Sequence, residues 1–409
     1  KKKKKKKARL RTRMKRQFLN TMKYGRWPCR PSTHHVFTPK SSMHLNFSIK
    51  QHYQSSIILN DNSSISLEDR FITDKVKVKL DRLTEGLLKG DRSCLAKAIT
   101  LVESRLIKHR TFAQYILEHI DKQATPDTEK KTFRIGISGP PGVGKSTFIE
   151  SFGTLLSSLN LKVAVVAVDP SSTRTGGSIL GDKTRMERLA RDSNAYIRPS
   201  PSTGFLGGVT ANAFEMIRLC EAATYDVVIV ETVGVGQSET QIADLTDVVM
   251  LLVPPAGGDA LQGIKRGIVE IADMIIINKA DGDLLSQARV TATDYMAALK
   301  LLSPKSKHWT PRVLLTSSLV KSSKTVADPS IEKVWRVLNK YRDAVSEPGE
   351  WEQKRKDQLE NWLWKQVHEE IMAIMFHDPR AEKAMVSLRN KVIHEGLSPR
   401  VAANTLIKV

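Results

Sequence analysis

The chain has 409 residues, of which 40% are hydrophobic and 26% are charged, and this composition is ordinary for a globular protein with one sizeable α/β domain and smaller appendages. Its longest apolar runs, such as residues 248–253, are far shorter than the roughly 20 residues that a membrane-spanning helix needs, so we expect no membrane span. The three cysteines, Cys29, Cys94 and Cys220, are too dispersed for a disulfide framework or a zinc site, which suits a reducing compartment.

The formal charge of +22 is concentrated at the N-terminus. Residues 1–60 contain 17 Lys and Arg and no Asp or Glu, so the rest of the chain is only mildly basic. A basic, acid-free segment with scattered Ser and Thr is typical of an organelle transit peptide, most often a mitochondrial one. The alternatives are a solvated basic arm and a tail that binds nucleic acid.

Residues 64–125 are predicted to form a helical region. Its apolar residues recur mostly at three- and four-residue steps with charges between them. They are Leu80, Leu83, Leu87, Leu95, Ala98 and Ile99. Gly90 followed by Asp91 indicates that one helix ends and the next begins there. The mostly polar residues 123–131, which include Pro126, are predicted to be a linker.

Residues 132–330 alternate short apolar runs with helical stretches, which predicts an α/β domain with a mostly parallel sheet covered by helices. The candidate strands are residues 133–138, 163–168, 227–230, 248–253, 274–277 and 313–316. Most of these runs are continuously apolar, as expected for strands that are buried on both faces. Ligands of such folds bind at the loops after the carboxyl ends of the strands, so a site is expected there.

Residues 331–409 return to a helical pattern with two apolar stripes. One stripe is Leu359, Leu363, Val367, Ile371 and Ile374, and the other is Ala381, Met385, Leu388 and Val392. Ser398 and Pro399 are typical of an N-cap and the first turn of a further helix. The spacing does not say whether the stripes pack on the same chain or on another one.

The segment after the first candidate strand fits the phosphate-binding pattern G-x-x-x-x-G-K-[ST] and precedes a helical stretch, as the pattern requires. Glycines let main-chain N–H groups point at phosphate oxygens, and the following helix adds the positive end of its dipole. Lys145 is predicted to neutralise the β- and γ-phosphates, and the Ser146 hydroxyl to bind Mg²⁺. The predicted nucleotide-binding residues here are Gly139, Pro140, Pro141, Gly142, Val143, Gly144, Lys145, Ser146 and Thr147.

A second motif, N-K-x-D, predicts which base binds. It consists of Asn278, Lys279, Ala280 and Asp281, directly after the candidate strand 274–277. A carboxylate there accepts from the ring N–H and exocyclic amine of guanine, a donor pair that adenine lacks at that edge. The protein is therefore predicted to be a P-loop GTPase that binds GTP and GDP. The turn after the last strand is predicted to back the base with main-chain groups, although a generic turn has the same composition. Its residues are Ser317, Ser318 and Leu319.

Three acidic residues are candidates for a Mg²⁺ site. Asp169 follows the second candidate strand, Asp182 lies in a Gly-Asp-Lys turn, and Glu231 follows the third candidate strand. A nucleotide-bound Mg²⁺ keeps several waters and takes one or two carboxylates, so not all three are direct ligands. We expect Asp169 and Glu231 near the metal with Ser146, and Asp182 to reach it when its loop closes. Each carboxylate is alternatively a helix cap or turn former.

Two segments are predicted to respond to the nucleotide. The polar residues 170–177 have the composition of a switch that is ordered by the γ-phosphate. Residues 231–237, with the sequence ETVGVGQ, stand where Ras-like proteins carry D-x-x-G-Q. Glu231 replaces the Asp, and Val235 occupies the slot of the water-orienting Gln. Intrinsic hydrolysis is therefore expected to be slow until a partner completes the site.

These motifs together resemble the metalloenzyme-maturation GTPases, which carry Glu in the third motif. The chain is most similar to the MeaB/MMAA branch, the G-protein chaperones of adenosylcobalamin-dependent methylmalonyl-CoA mutase, whose bacterial relatives are also labelled ArgK. The resemblance covers roughly residues 65–409. It rests on residues 168–172, 181–186 and 231–237, with the stretch 98–104 in the N-terminal helices.

The resemblance implies a mitochondrial matrix protein that uses GTP to gate adenosylcobalamin loading and to protect or reactivate methylmalonyl-CoA mutase. It implies the mutase as partner, with the cobalamin adenosyltransferase as a second candidate, and a homodimer formed by an arm of residues 331–409. It also implies a third switch in residues 257–265, where Asp259, Gln262 and Lys265 match partner-coupled residues. Without the resemblance these would be an ordinary polar loop. The candidate catalytic residues are then Lys145, Asp182, Glu231 and Lys265.

Three other functions share part of this pattern. A metallochaperone GTPase resembling HypB or UreG should show clustered His or Cys for metal delivery, and the three cysteines are not clustered. A small-molecule kinase, which the ArgK label suggests, should use ATP and an acceptor pocket, and Asp281 argues against ATP. A nucleic-acid binder rests on the basic tail alone.

Overall fold

The phosphate-binding pattern and the N-K-x-D motif both lie within the part of the chain that the structure describes. This structure is a computed structural model. It describes residues 71–104, 106–123, 132–169, 186–201, 212–232, 241–255, 266–318 and 327–407. The predicted transit-like segment 1–60 and most of the predicted linker lie outside these ranges. Within them, no helix combines the length and the apolar character that a membrane crossing requires.

Within the described ranges, seven parallel strands form one sheet. They are β1 (Phe133–Ser138), β2 (Val163–Asp169), β3 (Ala195–Pro201), β4 (Val227–Thr232), β5 (Val248–Val253), β6 (Met274–Ile277) and β7 (Arg312–Leu315). The strand order is β3-β2-β4-β1-β5-β6-β7, so β1 is central and pairs with β4 on one side and β5 on the other. The apolar runs of the sequence therefore become buried parallel strands, as predicted.

The sequence pattern misses one strand, β3. Its residues include Arg198, Pro199 and Pro201, a composition that is typical of a loop. In the structure β3 pairs with β2 at the edge of the sheet, where a proline does not interrupt a central ladder. Because of this extra strand, Glu231 lies on the fourth strand of the chain rather than the third, as the penultimate residue of β4.

Helices precede, cover and follow the sheet. They are α1 (Asp74–Leu88), α2 (Arg92–Glu103), α3 (Ile107–Gln123), α4 (Lys145–Ser158), α5 (Glu187–Arg191), α6 (Ala213–Ala222), α7 (Arg266–Ile271), α8 (Leu285–Lys300), α9 (Pro329–Ser346), α10 (Glu350–His377), α11 (Pro379–His394) and α12 (Pro399–Ile407), with short 3₁₀ helices at Ile242–Asp244 and Gly282–Leu284. The break predicted between α1 and α2 is confirmed: Gly90 has a φ of +79°, and the Asp91 carboxylate caps α2 by accepting from the N–H groups of Ser93 and Cys94.

The core occupies both faces of the sheet. On one face, Phe133 of β1 shares a cluster with Phe148 and Phe152 of α4 and with Leu338 of α9. On the other face, α1, α2, α3 and α6 pack on β2 and β4, while α7 and α8 pack on β5 and β6. The predicted division placed the residues of α9 with the C-terminal arm, whereas α9 packs on the sheet beside α4.

Helix α10 is 28 residues long and presents two different faces. Trp362 is 2% exposed and Gln358 is 4% exposed, against the start of β5 and the 3₁₀ helix before it. Leu359 and Leu363, from the first predicted stripe, are 53% and 61% exposed. The described members of the predicted stripe therefore face away from the sheet.

Candidate functional site

The phosphate-binding pattern lies between β1 and α4, and two of its glycines are required by close contacts. Gly139 has a φ of +151° and Gly144 a φ of +95°. A Cβ on Gly139 would lie 2.3 Å from the Leu252 carbonyl oxygen, and a Cβ on Gly144 would lie 2.8 Å from Asn278 Nδ2. Because both distances are too short for a carbon atom, only glycine lets the loop approach β5 and the segment after β6.

Lys145 lies inside the curl of this loop at the start of α4. It is 8% exposed, and its Nζ donates to the carbonyl oxygens of Gly139 at 2.7 Å and Pro140 at 3.3 Å. The first N–H groups of α4 have no carbonyl partners within the helix, and they place the positive end of the helix dipole at the same point. The loop is thus a positively polarised surface that suits phosphate. Among the other predicted loop residues, Val143 is buried, Pro140 is partly buried, and Pro141, Gly142 and Thr147 are exposed.

Ser146 and Glu231 meet next to the loop. The Ser146 hydroxyl donates to Glu231 Oε1 at 3.4 Å, and Glu231 is 8% exposed. Beside them Thr232 Oγ1 donates to Ser138 Oγ at 3.1 Å, which joins the ends of β4 and β1. A hydroxyl and a carboxylate side by side are oxygen donors of the kind that Mg²⁺ takes. Asp169 ends β2, as predicted, and its side chain is outside the described part of the structure.

The N-K-x-D motif follows β6 and is bonded directly to the phosphate-binding loop. Asn278 is 1% exposed, and its Nδ2 donates to the Val143 carbonyl oxygen at 2.9 Å. Val143 lies 135 positions away in the sequence. Lys279 Nζ donates to the Gly142 carbonyl oxygen at 2.8 Å. Lys279 also has a φ of +58°, an unfavourable backbone conformation of the kind that concentrates at functional sites. Two motifs that are distant in sequence thus form one continuous site.

The turn after β7 holds the side chains of the motif. The Ser317 hydroxyl donates to the Asp281 carboxylate. The Ser318 hydroxyl donates to Asn278 Oδ1 at 2.6 Å, and Thr316 Oγ1 donates to the same oxygen at 3.3 Å. The sequence predicts that this turn supports the base through main-chain groups. The structure adds these side-chain contacts, which fix the orientation of the Asn278 amide and the Asp281 carboxylate.

Ser151 belongs to this arrangement and was not predicted from the sequence. It lies in α4, is 5% exposed, and its Oγ donates to the Ser318 carbonyl oxygen at 2.7 Å. The available signal was its position between Phe148 and Phe152 on the helical stretch that follows the phosphate-binding pattern. A buried hydroxyl needs a hydrogen-bond partner, but the sequence does not say where that partner is.

Several predicted residues lie outside the part of the chain that the structure describes. They are Asp182, Asp259, Gln262, Lys265 and Leu319, together with the predicted switch segments 170–177 and 257–265 and residues 233–237. Within the described ranges, no group of three or more His, Cys, Asp or Glu side chains is arranged to hold a metal ion.

Comparisons with known proteins identify the family. The family model described as "Methylmalonyl Co-A mutase-associated GTPase MeaB" matches residues 95–380. The chain is 45% identical over 342 residues to "Methylmalonic aciduria type A homolog, mitochondrial" of Mus musculus, covering 82% of this chain and 81% of that protein. It is 45% identical over 320 residues to "GTPase ArgK" of Escherichia coli (strain K12), covering 78% of this chain and 93% of that protein.

A solved structure has the same fold over most of its length. It is titled "Crystal structure of LAO/AO transport system kinase", and it matches with a TM-score of 0.63 and 38% identity, covering 81% of this chain and 97% of that one. The family match spans most of the sheet and its flanking helices, and the relatives are named as GTPases. The chain is therefore a P-loop GTPase that belongs to the MeaB family.

Proposed function

We propose that this protein binds GTP and GDP with Mg²⁺ at the carboxyl ends of β1, β4, β6 and β7, and that it uses the nucleotide cycle as a chaperone of methylmalonyl-CoA mutase. The observation that carries the nucleotide assignment is the hydrogen bond from Asn278 to the Val143 carbonyl oxygen. It holds the base-reading motif at a fixed distance from the phosphate-binding loop, as a ligand with a base at one end and phosphates at the other requires.

The phosphates are bound by the loop at the start of α4. Main-chain N–H groups of the loop residues other than Pro140 and Pro141 surround the phosphate oxygens, and Lys145, already inside the curl, gives up its carbonyl contacts to neutralise the β- and γ-phosphates. This exchange favours the bound state, because the Lys145 ammonium then faces negatively charged phosphate oxygens instead of neutral carbonyl oxygens, and opposite charges attract.

Guanine is read at the end of β6. Asp281 accepts from the ring N–H and the exocyclic amine, and the bond from Ser317 orients its carboxylate for this. Asn278 and Lys279 fix the motif to the phosphate-binding loop, and main-chain groups of residues 317–319 back the base. Adenine leaves the Asp281 carboxylate without the two donors of guanine, and a lost hydrogen bond to a charged group costs about 1.5–3 kcal/mol.

The Ser146 and Glu231 oxygens fit a Mg²⁺ site, because a hydroxyl and a carboxylate already lie 3.4 Å apart beside the loop. Asp169 and Asp182 are the further acidic candidates. A metal ion here supplies charge that stabilises the phosphates during transfer to water. Glu231 and the absence of Gln from the usual slot make hydrolysis by the isolated protein slow, so we propose that Asp259, Gln262 and Lys265 couple it to a partner, with Lys265 as the catalytic group.

The partner and the cellular location rest on the family. The family description names a methylmalonyl-CoA mutase-associated GTPase, and the mouse relative is named as mitochondrial. We therefore propose that the protein acts in the mitochondrial matrix, where it gates adenosylcobalamin loading of the mutase and protects or reactivates it. The cobalamin adenosyltransferase is a second candidate partner. The exposed stripe with Leu359 and Leu363 on α10 supports a homodimer through the C-terminal arm.

Nucleotide selectivity tests the central assignment. In titrations with Mg²⁺, the purified protein should bind GTP at least about 100-fold more tightly than ATP, because the buried polar partners of guanine reject a base without them. Asp281→Asn should reverse the preference toward xanthosine triphosphate, whose base presents an oxygen in place of the amine. Equal affinity for ATP, or indifference to Asp281→Asn, would remove the base-reading assignment.

Stimulation by the mutase tests the partner. The GTP turnover of the purified protein should rise at least about tenfold when methylmalonyl-CoA mutase is added, since the partner completes the catalytic site. Lys265→Ala should keep the basal turnover within a few-fold and lose the stimulation. A turnover of about 1 s⁻¹ without any partner would contradict slow intrinsic hydrolysis.

A further inference from the structure

Ser151 uses its hydroxyl to bond a distant part of the chain, whereas Thr154 and Ser158 on the same helix do not. Thr154 Oγ1 donates to the Glu150 carbonyl oxygen and Ser158 Oγ to the Leu155 carbonyl oxygen, so both return to their own helix, as helical Ser and Thr commonly do. Ser151 Oγ instead donates at 2.7 Å to the carbonyl oxygen of Ser318, 167 positions away in sequence. The helix that carries the phosphate-binding loop is thereby bonded to the turn after β7.

This bond closes a ring of hydrogen bonds through the site. The Ser318 hydroxyl donates to Asn278 Oδ1 at 2.6 Å, Asn278 Nδ2 donates to the Val143 carbonyl oxygen at 2.9 Å, and Val143 leads into α4, which returns to Ser151. The side chains of Ser151, Asn278 and Ser318 are all at most 6% exposed. In a ring that excludes water, each bond fixes the geometry of the next, so the distance between the two ends of the site is set by the whole ring.

We propose that Ser151 is a positioning residue for guanine recognition, acting through the Ser317–Ser318 turn. Ser318 is held directly by Ser151, and the adjacent Ser317 hydroxyl orients the Asp281 carboxylate. Without the Ser151 hydroxyl, the Ser318 carbonyl oxygen loses a buried partner and the turn is free to shift. The Asp281 carboxylate then loses the orientation in which it meets both donors of guanine. The inference rests on the proposed function, because it takes Asp281 as the group that reads the base.

The test compares Ser151→Ala with Ser158→Ala. Both remove one hydroxyl from α4, but the Ser158 hydroxyl returns to its own helix, so that variant controls for loss of a helical serine. The probes are GTP and inosine triphosphate with Mg²⁺, since inosine lacks the exocyclic amine of guanine and the ratio of the two affinities reports how well Asp281 meets that amine. Turnover at saturating GTP is measured in parallel.

Ser151→Ala should bind GTP about three- to tenfold more weakly, the loss expected for one net hydrogen bond. Its affinity for inosine triphosphate should change less, so the preference for GTP over inosine triphosphate becomes smaller. Turnover at saturating GTP should stay within about twofold of the wild type. Ser158→Ala should keep the wild-type ratio. If Ser151→Ala does not fold, Ser151→Cys replaces it, because a thiol has nearly the same shape and is only a weak donor, and the same ratio is measured.

An unchanged ratio overturns the inference, whether both affinities stay the same or fall by the same factor, because an equal loss is what a purely packing role predicts. A tenfold loss of turnover with an unchanged ratio would likewise overturn it by placing Ser151 at the phosphates. Failure of the proposed function is seen separately and earlier, in the wild-type protein, as equal binding of GTP and ATP. If the wild-type protein prefers GTP to ATP, and Ser151→Ala keeps the wild-type ratio of the affinities for GTP and inosine triphosphate, only the role of Ser151 is contradicted.

Discussion

The two edges of one sheet use polar residues in opposite ways. At the carboxyl edge, short hydroxyl and amide side chains bond the phosphate-binding loop to the segments after β6 and β7. At the amino edge, an acidic residue lies directly before each of three strands. Its carboxylate accepts from a main-chain N–H group of a neighbouring strand, or of the residue just before that neighbouring strand. The pairs are Asp226 with Lys162 at 2.8 Å, Asp247 with Arg134 at 2.8 Å, and Asp273 with Val249 at 2.9 Å. One edge carries the proposed nucleotide site, whereas the other satisfies the backbone of the sheet.

Two of the amino-edge carboxylates, Asp247 and Asp273, are also neutralised by cations. Both oxygens of Asp247 accept from Arg355 at 2.8 Å, and Asp273 pairs with Lys305 at 2.9 Å. Asp247 and Asp273 are 2% and 4% exposed, and a charge buried to this degree is tolerated only when it is paired and hydrogen-bonded. The carboxyl edge differs, since Lys145 and Lys279 donate to neutral carbonyl oxygens of a loop. In the proposed site, phosphate oxygens replace the carbonyl partners of Lys145.

The amino edge also fixes the C-terminal arm. Beyond Arg355, the Gln358 amide donates to the Thr246 carbonyl oxygen at 2.9 Å, the Trp362 indole to the Asp244 carbonyl oxygen at 3.0 Å, and Lys365 pairs with the Asp244 carboxylate at 2.7 Å. Successive turns of α10 are thus bonded to the segment that leads into β5. The proposed nucleotide site and the attachment of the C-terminal arm therefore lie at opposite edges of the sheet. Substitutions at one edge should leave the contacts at the other edge intact.

The largest effect is expected at the carboxyl edge. Lys145→Ala should lower kcat/KM for GTP by about 10³-fold, roughly 4 kcal/mol, since it removes a preorganised positive charge from the phosphates. The free energy of unfolding without nucleotide should fall by about 2 kcal/mol, because each hydrogen bond to a loop carbonyl oxygen, such as those to Gly139 and Pro140, contributes about 1 kcal/mol. Steady-state phosphate release and urea denaturation measure the two quantities.

The matched control for Lys145→Ala is Lys300→Ala, at the last residue of α8. It removes the same charge from an exposed position, so both kcat/KM and stability should remain at wild-type values. A loss of activity in Lys300→Ala comparable to that in Lys145→Ala would mean that the net charge of the protein, not the position of Lys145, determines phosphate binding.

The amino edge should give the opposite pattern. Arg355→Met should lower the free energy of unfolding by about 3 kcal/mol, because it leaves the buried Asp247 carboxylate without its main partner, while GTP affinity of the folded protein stays within about twofold. Arg380→Met is the control, since Arg380 makes a similar contact to Asp378 at 3.0 Å with a side chain that is 69% exposed. It should leave the free energy of unfolding close to the wild-type value, because exposed ion pairs contribute little to stability. A large loss of GTP affinity in Arg355→Met would show that the edges are not independent.

The sequence predicts the carboxyl edge better than the amino edge, for a physical reason. The phosphate-binding loop and Asp281 lie in short motifs whose backbone requirements are local, such as glycine at positions 139 and 144. The contact of Arg355 with the Thr132 carbonyl oxygen joins residues 223 positions apart, and nothing near either residue indicates it. The same holds for Ser151. The strand β3 was missed because its prolines favour a loop, and only its place at the sheet edge makes them acceptable.

The smallest effect concerns pH and sharpens the contrast at Asp247. Burial alone would raise the pKa of this carboxyl group, but the hydrogen bonds and charge of Arg355, with Arg134 nearby, outweigh burial and hold the pKa below its ordinary value of 3.8. A carboxyl group with a lowered pKa in the folded state binds fewer protons than in the unfolded state. Its contribution is therefore present above pH 3.8 and is lost as the pH falls through the lower folded-state value.

Urea denaturation between pH 6 and about pH 3 measures this contribution. Asp247→Asn, which has no proton to bind at this position, should be less stable than the wild type at pH 6, and the difference should narrow as the pH falls. Asp343→Asn is the control, because the Asp343 side chain is 75% exposed and its removal should leave the wild-type pH dependence unchanged. A difference between wild type and Asp247→Asn that stays constant down to the lowest pH would mean that Asp247 stabilises the edge through its shape and hydrogen bonds, with no contribution from its charge.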